Sequence, residues 1–570
     1  MNSFRHSVGL ILSTLILSPV LATNAAKAPG ADSGAASAFP VTISADAGQS
    51  KGELRAIWRF FGADEPNYAT MKDGRKLLTE LGRLRPGHVY FRAHNLLNTG
   101  DGTPALKWGS TNIYNEDADG RPVYDWTVVD RIFDTYLARG VRPLAQIGFM
   151  PQALSTHPEP YQHEWRPGLP YEDIITGWAY PPKDYDKWRD LVTAWVSHCV
   201  ERYGREEVEQ WYWEVWNEAN GHYWKGTPEE WYKLHDYAID GVRRVLPTAR
   251  VGGPHVAGSG GAFMDGFLRH VVHGTNYATG ERGTPTDYLS FHAKGSPVFV
   301  DGHVRMGISN QLRTIDQGFA KIAAVPELRS TPIIIGESDP EGCAACQGPQ
   351  LGYRNGTMYS SYTAASFARK HDLADRHGIN FAGALTWAFE FEDQPYFAGF
   401  RALATNGIDL PVLNVFRMFS LMDGDRIAAT SSNQVALDDM LRNGVRQDPD
   451  IGVFASSNGR RVAVMVWHYH DDDLTGPPAD LTFTLNGLPA DVRRARLTHY
   501  RVDETHSNSY AAWQRMGSPL APNEHQYAEL QRASALSTLE APTDLPVNEG
   551  QLRVGFSLPR QAVSLLVFDL

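Results

Sequence analysis

Eight short apolar runs alternate with helical windows between residues 54 and 421, and this alternation limits the possible folds more than any other feature of the sequence. Each run ends in a polar or glycine-containing loop, as the strands of a parallel α/β protein do. The runs are Leu54–Phe60, Val89–Arg92, Arg142–Ile147, Trp211–Trp216, Arg250–Gly253, Tyr288–Phe291, Pro332–Ile335 and Phe381–Ala388. Eight strands, each followed by a helix, predict an α/β fold of the (β/α)₈ type, a TIM barrel with insertions.

The windows between the runs have the apolar spacing of amphipathic helices. They are Lys72–Leu84, Val128–Arg139, Lys183–Tyr203, Glu229–Leu246, Ala262–His273, Gly307–Ala323, Gly356–His377 and Pro411–Leu421. The structural alternative is a doubly wound open sheet. Such sheets carry a glycine-rich phosphate turn after a strand, and no such turn follows any of the eight runs.

From about Ile427 onward the helical period gives way to the alternation of β-strands. The apolar runs here are Arg461–His470, Ala479–Pro489, Ala495–Val502, Leu552–Leu558 and Ala562–Leu570. We expect an antiparallel β-sandwich accessory domain of residues 426–570 after a catalytic barrel of residues 51–425. Residues 29–50 are predicted to hold an N-terminal tail and a strand, Phe39–Ile43, which is a candidate member of the sandwich.

The first 28 residues are typical of a secretory signal peptide. Arg5 and His6 precede the apolar run Val8–Leu21, and small residues follow from Ala22 to Ala28. A run of about 14 residues is shorter than the roughly 20 that a membrane span needs, although an uncleaved anchor stays the alternative. We expect an exported protein, periplasmic or extracellular, that is free of the membrane after cleavage.

The charge balance excludes one class of partner. The chain has 53 Lys and Arg against 65 Asp and Glu, for a net charge of -12 at pH 7. A nucleic-acid binder needs a basic surface to contact phosphates. We therefore expect no nucleic acid and a small, uncharged substrate.

Polar side chains follow several predicted strands, at the end of the barrel where enzymes of this fold build their active sites. They are His94, Asn95, Asn217, Glu218, His292, Lys294, Glu337, Trp387, Glu390 and Glu392. Glu218 and Glu337 follow the fourth and seventh strands, so they would face each other across the barrel mouth. Such a pair hydrolyses glycosidic bonds, because one carboxyl group protonates the leaving oxygen and the other attacks the anomeric carbon. A single strand-end glutamate is more often a solvated loop residue, and we interpret Glu214, in mid-strand, as structural and paired.

Two motifs carry a family resemblance. The segment Trp213–Asn220, WEVWNEAN, and the later segment Pro332–Pro340, PIIIGESDP, resemble the acid/base and nucleophile motifs of a clan of retaining barrel glycosidases. Four further segments narrow the resemblance: FRAHNLL at Phe91–Leu97, LSFHAKG at Leu289–Gly295, Trp387–Ile408 and Asp503–Pro519. Together they are similar to glycoside hydrolase family 39, whose members are chiefly bacterial β-xylosidases and include α-L-iduronidase.

The resemblance implies a retaining, exo-acting β-xylosidase that acts on xylo-oligosaccharides from xylan and needs no cofactor or metal. Glu218 would be the general acid/base, Glu337 the nucleophile, and Asn217 a ligand of the sugar 2-hydroxyl. The glycone subsite would be lined by His94, His292, Lys294, Trp387 and Glu392. Lys294 stands where several members carry an aromatic residue, and a lysine there suits either a neutral or a carboxylated sugar.

Three alternatives stay open at this point. An α-L-arabinofuranosidase or another glycosidase of the clan, with one or two activities, would use the same carboxylate pair. An α-L-iduronidase would need cationic groups for the substrate carboxylate, and Lys294 is the candidate. A carbohydrate-binding protein without activity would need aromatic and hydrogen-bonding groups but no acid and nucleophile. Among the enzymes, the long loops Thr99–Tyr124 and Met150–Pro182 favour a pocket and the removal of single terminal sugars.

The chain has three cysteines, too few for a disulfide framework. Cys343 and Cys346 form a CAAC motif, which is interpreted as a local disulfide or a free pair. A zinc site would need further cysteine or histidine ligands at close spacing. Cys199 falls on the apolar face of a predicted helix and is expected to be a buried thiol.

Overall fold

The computed structural model of the protein describes residues 37–570. The predicted signal peptide, residues 1–28, and most of the predicted tail lie outside the described residues. Within residues 37–570, no helix combines the length and the hydropathy that crossing a bilayer requires.

Strands and helices are numbered here in chain order over residues 37–570. The strands are β1 (Phe39–Glu53), β2 (Phe60–Ala63), β3 (Val89–Ala93), β4 (Tyr114–Glu116), β5 (Pro122–Tyr124), β6 (Val141–Ile147), β7 (Tyr212–Val215), β8 (Arg250–Val256), β9 (Tyr288–His292), β10 (Val298–Val300), β11 (His303–Arg305), β12 (Ile333–Glu337), β13 (Phe381–Thr386), β14 (Ala404–Thr405), β15 (Ile408–Asp409), β16 (Asp425–Ser431), β17 (Asp450–Ser457), β18 (Arg461–Tyr469), β19 (Ala479–Asn486), β20 (Arg494–Val502), β21 (Ser537–Thr538), β22 (Thr543–Pro546), β23 (Leu552–Leu558) and β24 (Val563–Asp569). The helices are α1 (Lys72–Leu84), α2 (Thr127–Ala138), α3 (Tyr185–Tyr203), α4 (Arg205–Val208), α5 (Pro228–Val245), α6 (Gly261–His273), α7 (Ile308–Ala323), α8 (Thr357–His377), α9 (Pro411–Ser420), α10 (Leu437–Asn443), α11 (Ser509–Arg515) and α12 (Glu524–Ser534).

Eight parallel strands close into a barrel in the order β2-β3-β6-β7-β8-β9-β12-β13. The ring closes where β13 pairs with β2, with Leu385 opposite Phe60 and Thr386 opposite Phe61. The predicted (β/α)₈ barrel is therefore confirmed. The doubly wound alternative is excluded, because an open sheet keeps two unpaired edge strands.

The first barrel strand begins later in the chain than its apolar run predicts. The run Leu54–Phe60 was expected to be the strand, but the strand is Phe60–Ala63. Ile57 and Trp58 are buried before the strand begins, so they lengthen the apolar run without belonging to it. The prediction is wrong here, and the shift places Asp64 at the carboxyl end of the strand.

Most helices coincide with their predicted windows because apolar residues recur on one face and polar residues stabilise the ends. Helix α1 has the predicted bounds and buries Leu77 and Leu81. Helix α5 begins with a capping box, in which the Thr227 hydroxyl accepts from the backbone N–H of Glu230 at 3.1 Å and the Glu230 carboxylate accepts from that of Thr227 at 2.7 Å.

Strands from both ends of the described chain form one ten-stranded sheet. Strand β1 lies inside it, antiparallel to β16 and parallel to β19. The sheet curls over its own core, where Phe483 of β19 stacks on Phe568 of β24 with ring centroids 5.8 Å apart. The description of this region as a β-sandwich stays a prediction, because hydrogen bonds join the strands into a single sheet.

Strand β18 connects this sheet to the barrel. Successive side chains of a strand point to opposite faces. Val464 belongs to the core of the sheet, whereas Met465 and Trp467 belong to the core that includes the barrel. Tyr469 meets Tyr362 of α8 edge to face, with centroids 5.9 Å apart. The sheet thus packs on the outer helices of the barrel.

The expectation that helices end near Ile427 is wrong at three places, because α10, α11 and α12 follow that residue. Helices α10 and α11 have seven residues each, too few for an apolar period to show. Helix α12 buries only Leu530 and Ser534 of its eleven residues, so it has no apolar stripe.

The three cysteines fall into two groups. Cys343 and Cys346 form a disulfide, six residues after the end of β12. Cys199 is a buried thiol on α3. Of the two interpretations of the CAAC motif, the structure has the local disulfide.

Candidate active site

Two glutamates lie together at the carboxyl end of the barrel. Glu337 is the last residue of β12, and Glu218 lies three residues beyond β7. The chain leaves β7 through a turn in which Trp216 and Glu218 have left-handed φ values of 69° and 45°. The Glu218 N–H donates to the His255 carbonyl of β8 at 2.9 Å, which holds the turn in place. One carboxylate oxygen of each glutamate and one His292 ring nitrogen lie within 4.8 Å of one another.

Glu337 is a buried carboxylate held by two cations. Its side chain is 6% exposed, with Oε1 3.0 Å from Nη1 of Arg92 and Oε2 2.7 Å from Nζ of Lys294. Burial alone would raise the pKa of Glu337. The nearby charges of Lys294 and Arg92 outweigh burial, and they hold this pKa well below its usual range. Glu337 is therefore ionised at neutral pH, as a nucleophile must be.

Glu218 is the more exposed member of the pair. Its side chain is 23% exposed, and Oε1 lies 2.8 Å from Nδ1 of His292. The same nitrogen lies 3.8 Å from Oε1 of Glu337. His292 therefore touches both carboxylates, from the end of β9 that lies beside β12 in the barrel.

Arg92 of β3 contacts the proposed site from inside the barrel. The fully buried guanidinium binds Glu214, Glu337 and the Asn217 side chain, whose Oδ1 accepts from Nη2 at 2.8 Å. Glu214 is buried with Oε2 2.6 Å from Nε2 of His255. Sequence reasoning missed Arg92, although a charged residue at the end of a buried strand was the signal that could have found it.

A second group of charges lies on the β2 side of the site. The buried carboxylate of Asp64 binds Nζ of Lys107 and accepts from Nε1 of Trp387 at 3.2 Å. Nε2 of His94 lies 3.7 Å from Asp64 and 3.8 Å from Glu337. Burial, together with the Arg92 cation, lowers the pKa of His94 to about 4, so its ring is neutral at neutral pH.

Aromatic side chains surround this group. Trp387 packs on His94 with centroids 4.4 Å apart and lies under the Arg92 guanidinium at 4.9 Å. Tyr171, from the long loop after β6, shares a 2.5 Å hydrogen bond with Tyr223. Lys107 lies 5.6 Å above the Tyr171 ring. Residues from two long loops thus contribute to the walls of the site.

The family model of "Glycosyl hydrolases family 39" matches residues 41–552. The chain belongs to this family. It is therefore a glycosidase of family 39 that acts on carbohydrate, and the resemblance seen in its motifs is confirmed.

Three known proteins are similar to the chain over most of its length. A β-xylosidase of Geobacillus stearothermophilus is 26% identical over 540 residues, which cover 91% of this chain and 93% of that protein. A structure of a monomeric β-xylosidase from Caulobacter crescentus CB15 has a TM-score of 0.71 at 22% identity, covering 93% of this chain and 99% of that one. A structure of a bacterial orthologue of human α-L-iduronidase has a TM-score of 0.74 at 20% identity, covering 93% of this chain and 84% of that one. The two structures show the shared fold.

Most of the residues predicted for the family 39 site lie together. Glu218 and Glu337 form the pair, His292 and Lys294 contact it, and the remaining members border it: His94, Asn217 and Trp387. Lys294 also reaches a second carboxylate, since Nζ lies 2.7 Å from Oδ2 of Asp339.

Glu392 is the predicted residue that the structure does not bring to the pair. Its two carboxylate oxygens accept from the backbone N–H groups of Asp73 and Gly74 at 3.2 and 3.3 Å. These groups begin helix α1, where the positive end of the helix dipole attracts a carboxylate. The expectation that Glu392 lines the glycone subsite has no contact to support it.

Glu390, which sequence reasoning also placed at this end of the barrel, is 2% exposed. Its Oε1 accepts from the Gly407 N–H at 2.9 Å. Burial raises the pKa of Glu390 to about 8, with the nearby Asp73 adding to the shift. Its carboxyl group is therefore mostly protonated at neutral pH.

A metal ion would find one candidate site in the described residues, formed by Glu218, His292 and Glu337. The cations Arg92 and Lys294 already compensate the charge of Glu337. A divalent cation would be repelled by both, so the donor set does not suit a metal.

Proposed function

We propose that this family 39 enzyme is a retaining, exo-acting β-xylosidase that releases terminal β-D-xylose from xylo-oligosaccharides. The carboxylate pair carries the proposal, because oxygens of Glu218 and Glu337 lie within 4.8 Å of each other. Retaining glycosidases hold their two carboxyl groups about 5 to 5.5 Å apart, whereas inverting enzymes need about 6.5 to 9.5 Å to admit a water molecule.

In the proposed first step, ionised Glu337 attacks C1 of the xyloside and the bond from C1 to the leaving oxygen breaks. Glu218 gives its proton to that oxygen, which leaves a xylosyl ester on Glu337 and an ionised Glu218. In the second step, Glu218 takes a proton from water while the water oxygen attacks C1 and the ester bond breaks. Xylose departs in the β-configuration, and both carboxyl groups return to their first state.

The neighbouring residues are proposed to hold the sugar. Oδ1 of Asn217 is occupied by Arg92, which orients the amide nitrogen as a donor for the 2-hydroxyl. A contact at this hydroxyl strengthens in the transition state of glycoside hydrolysis. The proposed glycone subsite consists of His94, His292, Lys294 and Trp387.

A neutral sugar suits the charges of the site better than a uronic acid. Each cation beside the pair already has an acidic partner among residues 37–570: Arg92 has Glu214 and Glu337, Lys294 has Glu337 and Asp339, and Lys107 has Asp64. A substrate carboxylate would meet these partners as well as the cations. This favours xylose over iduronate.

A panel of p-nitrophenyl glycosides tests the substrate: β-D-xyloside, α-L-arabinofuranoside and α-L-iduronide. We expect the highest kcat/KM on the β-D-xyloside. A higher kcat/KM on the iduronide or the arabinofuranoside would contradict the proposed substrate and identify that sugar as the preferred one. Sugar binding without hydrolysis of any of the three would indicate a carbohydrate-binding protein.

A separate measurement tests the stereochemistry of the reaction and the exo action. Proton NMR during hydrolysis of xylotetraose should show β-xylose before mutarotation produces the α-anomer. It should also show xylotriose as the first accompanying product. α-Xylose as the first anomer would contradict the retaining mechanism, and xylobiose as the first product would contradict exo action.

We propose in addition that the enzyme is exported and that its signal peptide is removed between residues 22 and 28. The Cys343–Cys346 disulfide supports an oxidising compartment, because the cytosol keeps most thiols reduced. N-terminal sequencing of enzyme purified from the periplasm or culture medium is the test. A mature protein that begins at residue 1 and stays in the cytoplasm would contradict export.

A further inference from the structure

His292 has a second ring nitrogen that none of the contacts described so far uses. Its Nδ1 faces Glu218, while Nε2 is buried without a hydrogen-bond partner among residues 37–570. On the other side of this nitrogen lies His255 of β8, with ring centroids 5.8 Å apart. Nδ1 of His255 is also buried and lacks a partner among the same residues.

The two unpartnered nitrogens face one point beside Gly336, the residue before the proposed nucleophile. A Cβ atom on Gly336 would collide with Nδ1 of His255 and lie 3.0 Å from Nε2 of His292. The glycine therefore leaves the two nitrogens within reach of a single bridging water molecule. Since unpaired buried polar groups are costly, such a water should accept from one nitrogen and donate to the other.

Glu214 decides which nitrogen of His255 carries a proton. Its Oε2 lies 2.6 Å from Nε2 of His255, and both groups are fully buried. Burial would raise the pKa of Glu214, but Arg92 and His255 lower it below its usual value, so the carboxylate is ionised. Burial lowers the pKa of His255 to about 4, so its ring holds one proton. The 2.6 Å contact with the carboxylate favours placing that proton on Nε2, which leaves a lone pair on Nδ1.

We propose that Glu214 and His255 fix the tautomer of His292 with a proton on Nε2, so that Nδ1 shares with Oε1 of Glu218 the proton that the leaving group receives. Glu214 and His255 are thus positioning residues that act through His292. Glu218 and His292 together hold one transferable proton, whichever of the two atoms it rests on. The inference rests on the proposed role of Glu218 as general acid.

The other groups that face this pair do not compete for that proton near neutral pH. Glu337 is ionised, and Arg92 and Lys294 are its ion-pair partners. Burial raises the pKa of Tyr171 and of Tyr223, so both phenols stay protonated. His94, on the far side of Glu337, is neutral.

Two replacements of His255 separate the roles of its nitrogens. Asn places a polar atom near the position of Nδ1, and Gln places one near Nε2. His255→Gln keeps a donor for Glu214 but offers His292 no acceptor, whereas His255→Asn keeps a group that accepts from His292. Both keep the backbone carbonyl that binds the Glu218 N–H. A matched control is His270→Gln, since Nε2 of His270 pairs with Asp236 at 2.9 Å outside the barrel.

The first readout is the pH dependence of kcat/KM. Without the acceptor, the proton of His292 moves to Nδ1, and the pair loses its transferable proton at lower pH. We expect the alkaline limb of His255→Gln to move down by about one pH unit, the effect of one hydrogen bond to a charged group. On xylobiose, kcat should fall about tenfold. On p-nitrophenyl β-D-xyloside, whose leaving group needs little protonation, kcat should change less. His255→Asn should restore part of both effects, and His270→Gln should show neither.

Equal losses on both substrates with an unmoved alkaline limb would overturn the proposal and leave His255 a packing residue. A second measurement uses the wild-type enzyme and needs neither substrate nor variant stability. Nitrogen-15 NMR of the enzyme labelled at histidine, with His292 assigned from His292→Asn, should show Nε2 protonated at neutral pH. A bare Nε2 would contradict the proposal even if the enzyme hydrolyses xylosides. A wild-type enzyme without glycosidase activity but with a protonated Nε2 would contradict the proposed function alone.

Discussion

Nζ of Lys294 lies 2.7 Å from Oε2 of Glu337, the closest approach of a cation to the proposed nucleophile. Among the charges that oppose burial, Lys294 contributes most to the low pKa of Glu337. A lysine in this position therefore acts on the protonation of the carboxylate whatever sugar the site binds.

Lys294→Met should shift the acidic limb of the activity profile. Removing the cation raises the pKa of Glu337, and protonated Glu337 cannot attack, so activity should be lost at a higher pH as the pH falls. An opposite charge at this distance moves a carboxyl pKa by about 1 to 3 units. The measurement is kcat/KM on p-nitrophenyl β-D-xyloside from pH 3 to 8. Lys321→Met, which breaks an ion pair with Asp265 on the barrel surface, is the control. An unchanged acidic limb would show that Arg92 alone keeps Glu337 ionised.

Glu337→Gly should lower kcat by a factor on the order of 10⁴ or more, because no covalent intermediate can form. Azide is small enough to enter the space left by the side chain and should restore turnover of an aryl xyloside, giving α-xylosyl azide. Glu327→Gly, at a half-exposed position, should keep wild-type turnover. Wild-type rates for Glu337→Gly would show that another group is the nucleophile.

Glu218→Ala should separate substrates by their leaving groups. Loss of a general acid costs about 10² to 10⁴ in rate when the leaving oxygen needs a proton. Xylobiose hydrolysis should fall by this factor, and glycosylation by an aryl xyloside with an acidic phenol should fall much less. Pre-steady-state release of 2,4-dinitrophenol checks this, and a uniform loss for both substrates would argue against an acid role.

Glu390→Gln should change how stability depends on pH. The native pKa of about 8 lies above the ordinary value of 4.5, so the native state keeps a proton that the unfolded chain releases. The contribution of Glu390 to the free energy of unfolding of the wild type is fully present below about pH 4.5. It is lost as the pH rises towards 8, by at most about 1.4 kcal/mol per pH unit. Glutamine does not titrate and keeps an acceptor for the Gly407 N–H.

Urea unfolding of the Glu390→Gln variant at pH 5 and pH 8 measures this effect. The variant should gain stability over the wild type between the two pH values. Glu327→Gln serves as the exposed control and should show no such gain. A constant difference between Glu390→Gln and the wild type at both pH values would contradict protonation of the buried carboxyl group.

The barrel could be predicted because its helices carry a strong apolar period and its strands end in recognisable loops. Helix α1, Lys72–Leu84, has its predicted bounds. The carboxylate pair could be predicted for the same reason, since Glu218 and Glu337 follow well-defined apolar runs. The contacts of Glu392 could not be predicted, because the sequence does not reveal that the start of helix α1 lies within its reach.

The remaining residues of the site could not be predicted, because they come together only in the folded protein. Asp64 was missed because the buried Ile57 and Trp58 displaced the predicted first strand. Lys107 comes from a loop and meets Asp64 only in the folded barrel. The facing nitrogens of His255 and His292 depend on neighbouring strands and on the missing side chain of Gly336, a relationship that no spacing in the sequence indicates.

Strand β1 pairs with two strands that the ribosome makes long afterwards. Its Ile43 lies opposite Ser431 of β16, and its Phe39 lies beside Ala479 of β19. At about 5 to 20 residues per second, roughly 400 residues of synthesis separate β1 from these partners by about 20 to 80 seconds. All eight barrel strands are synthesised before β16 and β19, so the first strand of the fold has no partner strand until the whole barrel has been made.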